Sequence, residues 1–444
     1  MAFKKNVLAN IITSITALMM SASGAYAAGT LIPSANRVDM LHDASRNIIY
    51  VTDSNQVLRY DIASGQMLSP FVLGSTSANE PKAQLKGIDI SPDGQTLVVA
   101  DQTSDATTQW VYLINLGGAS CGCQTVNKIP MNKEFMENGL WSVAYAGDGS
   151  IFASSQFAGS GWVPLRRLDP ITWTWNKVGN AYPDNTYRQN TMLSTSGNGA
   201  VVSFAESNIS SGSWGRYDVL NASLKRFTDY QTGTSAFNYE IAANSNGTQI
   251  AIPTYFGTQI FGANYSKIGT IGQYAGPQPV GVAYHPVENL IYFPWAQTRE
   301  VKVYDANTLK QVSSYDFEDT FTSNGNNAYV QGRTKLSRDG SVLMVTVNGG
   351  VRFVKQYEGL RAANVSASNS GAATTISLKG AIGNNGKLSY RLASSPLRGT
   401  ATLNGDTVTY TPEPGYTGAD FFSYTVSYGR ATVSAKINIL SATN

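Results

Sequence analysis

Cysteine and histidine are almost missing, with two of each in 444 residues. Cys121 and Cys123 stand together in "GASCGCQ". Two thiolates cannot complete a zinc site, and the histidines are too few to make up the set. In an oxidising compartment the pair is expected to close a small, strained loop disulfide across one glycine. Charge is also sparse, at 14% of residues, with 32 basic and 29 acidic side chains and no polybasic run. That excludes the electrostatic footprint of a nucleic-acid or anionic-membrane binder. The motif HExxH and a phosphate-cradling glycine loop are absent, which removes the common zinc-hydrolase and nucleotide signatures. No long helical periodicity follows the first thirty residues. With 42% hydrophobic residues the chain is nonetheless too apolar to be disordered.

The N-terminus carries Lys4 and Lys5, the apolar run Val7 to Met20, and then "SASGAYAAG", with small residues Ala25 and Ala27. This reads as a secretory signal over 1–27, cleaved before Ala28. The run falls short of the ~20 residues that cross a bilayer, and no other stretch is apolar enough, so no transmembrane segment is expected after cleavage. Removing the segment leaves 30 basic against 29 acidic residues. The expected location is exported, either periplasmic or extracellular and cell-surface.

What the chain has in abundance is turn and strand. It holds 42 Gly and 24 Tyr, and short runs rich in Val, Ile, Thr and Tyr recur throughout. The hairpin "GIDISPDGQTLVVAD" (87–101) has six further copies, among them "LHDASRNIIYVTD", "AANSNGTQIAIPT" and "LSRDGSVLMVTVN". Their aligned turn residues Asn47, Gly94, Gly149, Gly199, Gly247, Asn289 and Gly340 are 42 to 55 residues apart. A third run then ends in Asp, as in "VLRYD", "GRYD" and "VKVYD", and a fourth follows. Four strands per unit and seven units predict a seven-bladed β-propeller over 30–358, with "GTLIPSANRVDM" as a candidate closing segment.

These repeats resemble the YVTN-type seven-bladed propellers, in which SPDG-like turns, VA-Asp-like strand ends and YD-type turns combine. The resemblance implies the fold and leaves function open among binding proteins, surface proteins and some enzymes. A run of small polar residues over 359–374 reads as a linker. Beyond it, alternating strands over 375–444 predict a small β-sandwich. The stretch "PLRGTATLNGDTVTYTPEPGYTGADFFSYTVSYG" resembles bacterial Ig-like, cadherin-like modules. Those modules often carry acidic calcium ligands, which "NSGAAT" and "IGNNGK" replace here.

On a propeller map, Asp53, Asp101, Gln156, Glu206, Tyr255, Phe256, Trp295 and Arg299 fall at the face usual for ligands. The SPDG-like turns, with His42 and His285, fall at the other and read as scaffold. Asp53, Asp101 and Glu206 are the candidate metal ligands, and Asp101 equally reads as a strand-end residue bonding nearby amides. Trp110, Trp162 and Trp214, at equal steps of 52, and Trp295 are candidate stacking residues for a ligand. For the tryptophans, packing between blades is the competing reading.

The resulting expectation is an all-β exported binding, adhesion or scaffold protein that meets a glycan, protein or other envelope ligand on one propeller face. It requires no cofactor and leaves room for Ca2+; the oligomeric state is unknown. The alternative is a metal-assisted propeller enzyme, a lactonase or lyase.

Overall fold

A computed structural model describes residues 29–74, 82–117, 125–134, 137–157, 163–178, 186–187, 190–207, 212–227, 239–273, 278–322, 329, 331–356, 360–382, 387–428 and 431–441. The signal segment expected over 1–27, Cys121, Cys123 and Trp162 lie outside these residues. All regular elements among them are strands.

Between residues 30 and 355 the strands form seven four-stranded antiparallel sheets, each built from consecutive strands except the last and the third, where Val163–Pro164 intervenes and pairs with Thr186–Tyr187 instead. Blade 1, for example, comprises Arg37–Asp43, Ile48–Asp53, Gln56–Asp61 and Gln66–Val72, in that spatial order. The seventh sheet combines Thr334–Leu336, Val342–Val347 and Gly350–Lys355 with Thr30–Pro33 from the start of the chain. The first strand of every blade packs on that of the next, and the seventh on the first, so the sheets close a propeller ring.

The hairpin turn is maintained by the same chemistry in blade after blade. Ser91, Ser196 and Ser337 accept the amides of Thr96, Val201 and Val342 through Oγ. Asp93, Asn198 and Asp339 each accept the amide two residues on. The intervening Gly94, Gly199 and Gly340 sit at φ of 71° to 74°, the left-handed region where glycine pays no steric cost. Blade 6 lacks these residues. There His285 Nδ1 accepts the amides of Val287 and Glu288 instead, which gives that histidine a turn-capping role. Asp61, Asp169, Asp218 and Asp305 cap the outer turn between the third and fourth strands in the same manner.

Apolar residues of neighbouring blades interleave to make the core. One cluster combines Tyr50, Val57 and Leu41 of blade 1 with Ile88, Leu97 and Tyr112 of blade 2. The junction of first and last blades is built likewise, with Ile32, Met40, Ile49, Met344 and Val351 fully buried together.

The C-terminal strands form a separate sandwich. Val365–Asn369 pairs in parallel with Ala431–Ser441, which continues through Asp420–Tyr428 to Ser389–Leu392. The opposing sheet holds Thr374–Ser377, Thr407–Pro412 and Gly399–Asn404. The linker expected over 359–374 is therefore largely strand. Its Ser, Ala and Asn residues concealed an alternation in which Val365 and Asn369 point inward, Asn369 donating to the carbonyls of Tyr416 and Gly418.

Ile32 tests ring closure, because it is the buried side chain of the strand that joins the two ends. Ile32→Ala is expected to cost about 2 to 5 kcal/mol. Denaturant unfolding measures this, and a loss under about 1 kcal/mol would show that the strand contributes little to closure.

Candidate functional site

The inner edge of each first strand has no strand beside it, so its peptide groups must find partners across the blade boundary. Side chains of these strands supply many of them. Ile88 N donates to Asp39 Oδ2 at 3.1 Å, Tyr145 N to Asp89 Oδ2 at 2.7 Å, Leu193 N to Ser142 Oγ at 3.2 Å and Val282 N to Glu240 Oε2 at 3.3 Å. Each bond links a blade to the next.

Blade 7 adds two cations to this polar ring. Arg333 Nε donates to Asp39 Oδ1 at 3.1 Å, and its Nη1 meets Glu240 Oε1. Lys335 Nζ donates to Asp39 Oδ2 at 2.8 Å and to the Ile88 carbonyl at 3.0 Å. Asp39, Glu240 and Arg333 are buried, whereas the Lys335 side chain remains 22% exposed. Burial pushes the Asp39 carboxyl upward, but Arg333 and Lys335 outweigh it and hold the group below the usual carboxylate range. Glu240 moves the other way, because its burial exceeds the pull of Arg333. Burial lowers Lys335, with Asp39 opposing.

On one side of this cluster an aromatic pair packs against Arg333, whose Cζ lies 5.8 Å from the Tyr329 centroid. Trp141 and Tyr329 meet in a tilted arrangement with centroids 4.9 Å apart, and Tyr329 Oη donates to the Trp141 carbonyl at 3.0 Å. On the other side lies a cavity of about 460 Å3 that extends to the SPDG-like turns. Arg333, Lys335 and Glu240 line its inner end, and Pro92, Asn198, Pro286 and Arg338 line its turn end. The deep concavity thus opens on the turn face, which the sequence marked as scaffold. His42 also lines it and is buried, its Nε2 3.4 Å from Asn47 Oδ1.

The sequence-derived candidates do not come together. Asp53 accepts from Ser34 Oγ and Asn36 N, Asp101 from Gln84 N and from Thr103 N and Oγ1, and Glu206 from Ser213 N. Each ties down a loop of its own blade. No group of three His, Cys, Asp or Glu able to hold a metal occurs among the described residues. Burial raises the Asp101 carboxyl while the Thr103 and Gln84 amides oppose it.

Trp214 is corrected as a ligand-stacking residue. It is fully buried between blades, 4.5 Å from Phe261 and 4.8 Å from Phe227 by centroid. Trp110 pairs across its hairpin with Asp101, whereas Trp214 pairs with Ala205, the residue before Glu206. That single step of register sends the two indoles to opposite faces of their blades. Trp110 is half-buried under Lys128 Nζ, 3.8 Å from its ring centroid, and Trp295 is half-buried under Lys302 at 4.3 Å. The cation cluster escaped sequence reading because its members come from residues 39, 240, 333 and 335. The one available signal was charge within otherwise apolar first strands.

Comparison with known proteins agrees with this architecture. Residues 360–440 match the bacterial Ig domain family. The Ig domain thus takes in the whole C-terminal sandwich. No curated protein matches the chain. Among solved structures, a chain of the mitotic checkpoint complex is similar at 14% identity and TM-score 0.54, covering 80% of this chain and 100% of that one. A chain of hydrazine synthase from Kuenenia stuttgartiensis is similar at 12% identity and TM-score 0.52, covering 75% and 98%. The Dos1 propeller follows at 14% and 0.50, covering 72% and 77%. At these identities the likeness shows the propeller fold alone. No helix among the described residues is long and apolar enough to cross a membrane.

Asp39 gives the cluster a pH signature. Its folded pKa is depressed, so its stabilising contribution is full above the unfolded value near ~3.9 and is lost as pH falls through the lower folded value. Asp39→Asn strands two cations and is expected to cost about 3 to 5 kcal/mol at neutral pH. Thermal unfolding should show the gap between variant and parent narrowing below about pH 4. A gap that stays constant down to pH 2 would contradict the pairing.

Proposed function

We propose that the protein is an exported binding protein of YVTN-type, seven-bladed architecture that takes its ligand in the axial cavity on the turn face. The observation that carries this is the cavity itself. At about 460 Å3 it lies in the range of small-ligand sites, and it ends on a fixed polar cluster instead of a continuous apolar core.

Export is supported by the N-terminal segment and by the bacterial Ig domain, which serves in this reading to space the propeller from its point of attachment or to adhere. The metal-assisted lactonase or lyase has less support, because Asp53, Asp101 and Glu206 are each engaged within their own blade. A rim site around Trp110 and Trp295 would suit a larger glycan, but Lys128 and Lys302 already cover part of those indoles.

Binding screens against a glycan and metabolite library separate the two faces. Thr195 is a half-buried residue of the cavity lining. Thr195→Trp is expected to reduce capture of the bound compound at least tenfold, and Trp110→Ala to leave it unchanged. The opposite pattern would place the site on the rim, and capture of nothing by the folded parent would sink the binding reading.

A further inference from the structure

The polar groups around the axial cavity are unevenly satisfied. Asp39 accepts four donors: Met40 N and Arg333 Nε on one oxygen, Ile88 N and Lys335 Nζ on the other. Glu240 accepts Arg333 and Val282 N, and Asp89 accepts Ile90 N and Tyr145 N. Each carboxylate oxygen beside the cavity therefore already accepts a donor, while the cations keep N–H bonds to spare.

Lys335 has three N–H bonds, of which Asp39 and the Ile88 carbonyl take two. Arg338 has five, and its partners among the described residues are the Ile90 carbonyl and, at 3.6 Å, Asp89 Oδ1. Both side chains line the cavity and remain partly exposed, at 22% and 44%. Spare N–H donors on two cations favour an anion.

The charge balance limits how much negative charge the site tolerates. Three cations, Arg333, Lys335 and Arg338, line the cavity with two carboxylates, Asp89 and Glu240, and Asp39 pairs with Arg333 and Lys335 from behind, so lining and partner together are formally neutral. A dianion such as a phosphate monoester would gain the same hydrogen bonds while meeting repulsion from three buried or half-buried carboxylates. A single carboxylate avoids most of that penalty. Leu41, Leu193 and Ile241 give the walls apolar surface, and Ser194 and Thr195 add hydroxyl-bearing side chains.

We infer that the axial cavity binds a small organic monocarboxylate of sugar-acid size, its carboxylate held by the spare N–H of Lys335, with Arg338 adding positive charge at the turn end. The inference rests on the axial-cavity reading above and adds to it the chemical class of the ligand. Lys335 is the anchor because Asp39 and the Ile88 carbonyl fix its ammonium in place before any ligand arrives.

Calorimetric titration of the full chain with D-glucuronate, D-glucose and D-glucose 6-phosphate tests it, with melting curves to verify that each variant is folded. Glucuronate should bind at least tenfold more tightly than either other probe. Lys335→Met should weaken glucuronate at least tenfold, Arg338→Gln severalfold, and Lys335→Arg less than Lys335→Met. Equal affinity for glucose and glucuronate, or a folded Lys335→Met that binds glucuronate unchanged, would overturn the carboxylate assignment while leaving the cavity in place. Tighter binding of the phosphate ester would overturn the single-charge argument. Glucuronate binding untouched by Thr195→Trp would remove both the inference and the axial site, and no binding of any probe by the folded parent would overturn the inference.

Discussion

The carboxylate of Asp39 is the point on which the propeller's centre is organised. It receives a backbone amide from blade 2, a guanidinium and an ammonium from blade 7, and the amide of its own neighbour in blade 1. Through Arg333 it reaches Glu240 and the blade 5 to blade 6 boundary. A ring of sheets must close without a paired inner edge, and apolar packing between blades cannot satisfy the peptide groups that face the axis. A buried charge cluster whose carboxylates accept those amides meets that need, and removing one member leaves the others uncompensated.

Function follows from the same constraint. The cluster must sit where first strands from opposite sides of the ring come within side-chain reach, and the tilted pair Trp141 and Tyr329 packs on one side of it. On the other side a cavity extends to the short turns made of Ser, Asp, Asn and Gly. Burying Asp39 drew four donors onto its carboxylate, whereas a lysine and an arginine carry more N–H bonds than their partners accept. The stabilising device thus leaves donors facing an open pocket.

Much of the fold was legible in the sequence, for physical reasons. Turns that need a left-handed residue restrict the choice to Gly or Asn, so Gly94, Gly199 and Gly340 marked the repeat unambiguously. The aspartates after third strands did the same for the outer turns. The start of the Ig domain was missed because "NVSASNSG" has a strand's alternation with side chains too small to show it. The site was less legible. Equal spacing of Trp110 and Trp214 concealed a one-residue difference in register that only strand pairing reveals. Asp53, Asp101 and Glu206 shared a structural position, but that position serves loop capping. The cation cluster depends on contacts between residues nearly 300 positions apart, such as Asp39 with Lys335, which no local pattern encodes.

The central claim is that the ligand sits on the axis, anchored at Lys335, and not on the rim around Trp110. A crystal structure of the protein grown with D-glucuronate addresses it most directly. The account predicts ligand density in the axial cavity with a carboxylate oxygen within hydrogen-bonding distance of Lys335 Nζ. Density beside Trp110 or Trp295 with an empty axis would contradict it.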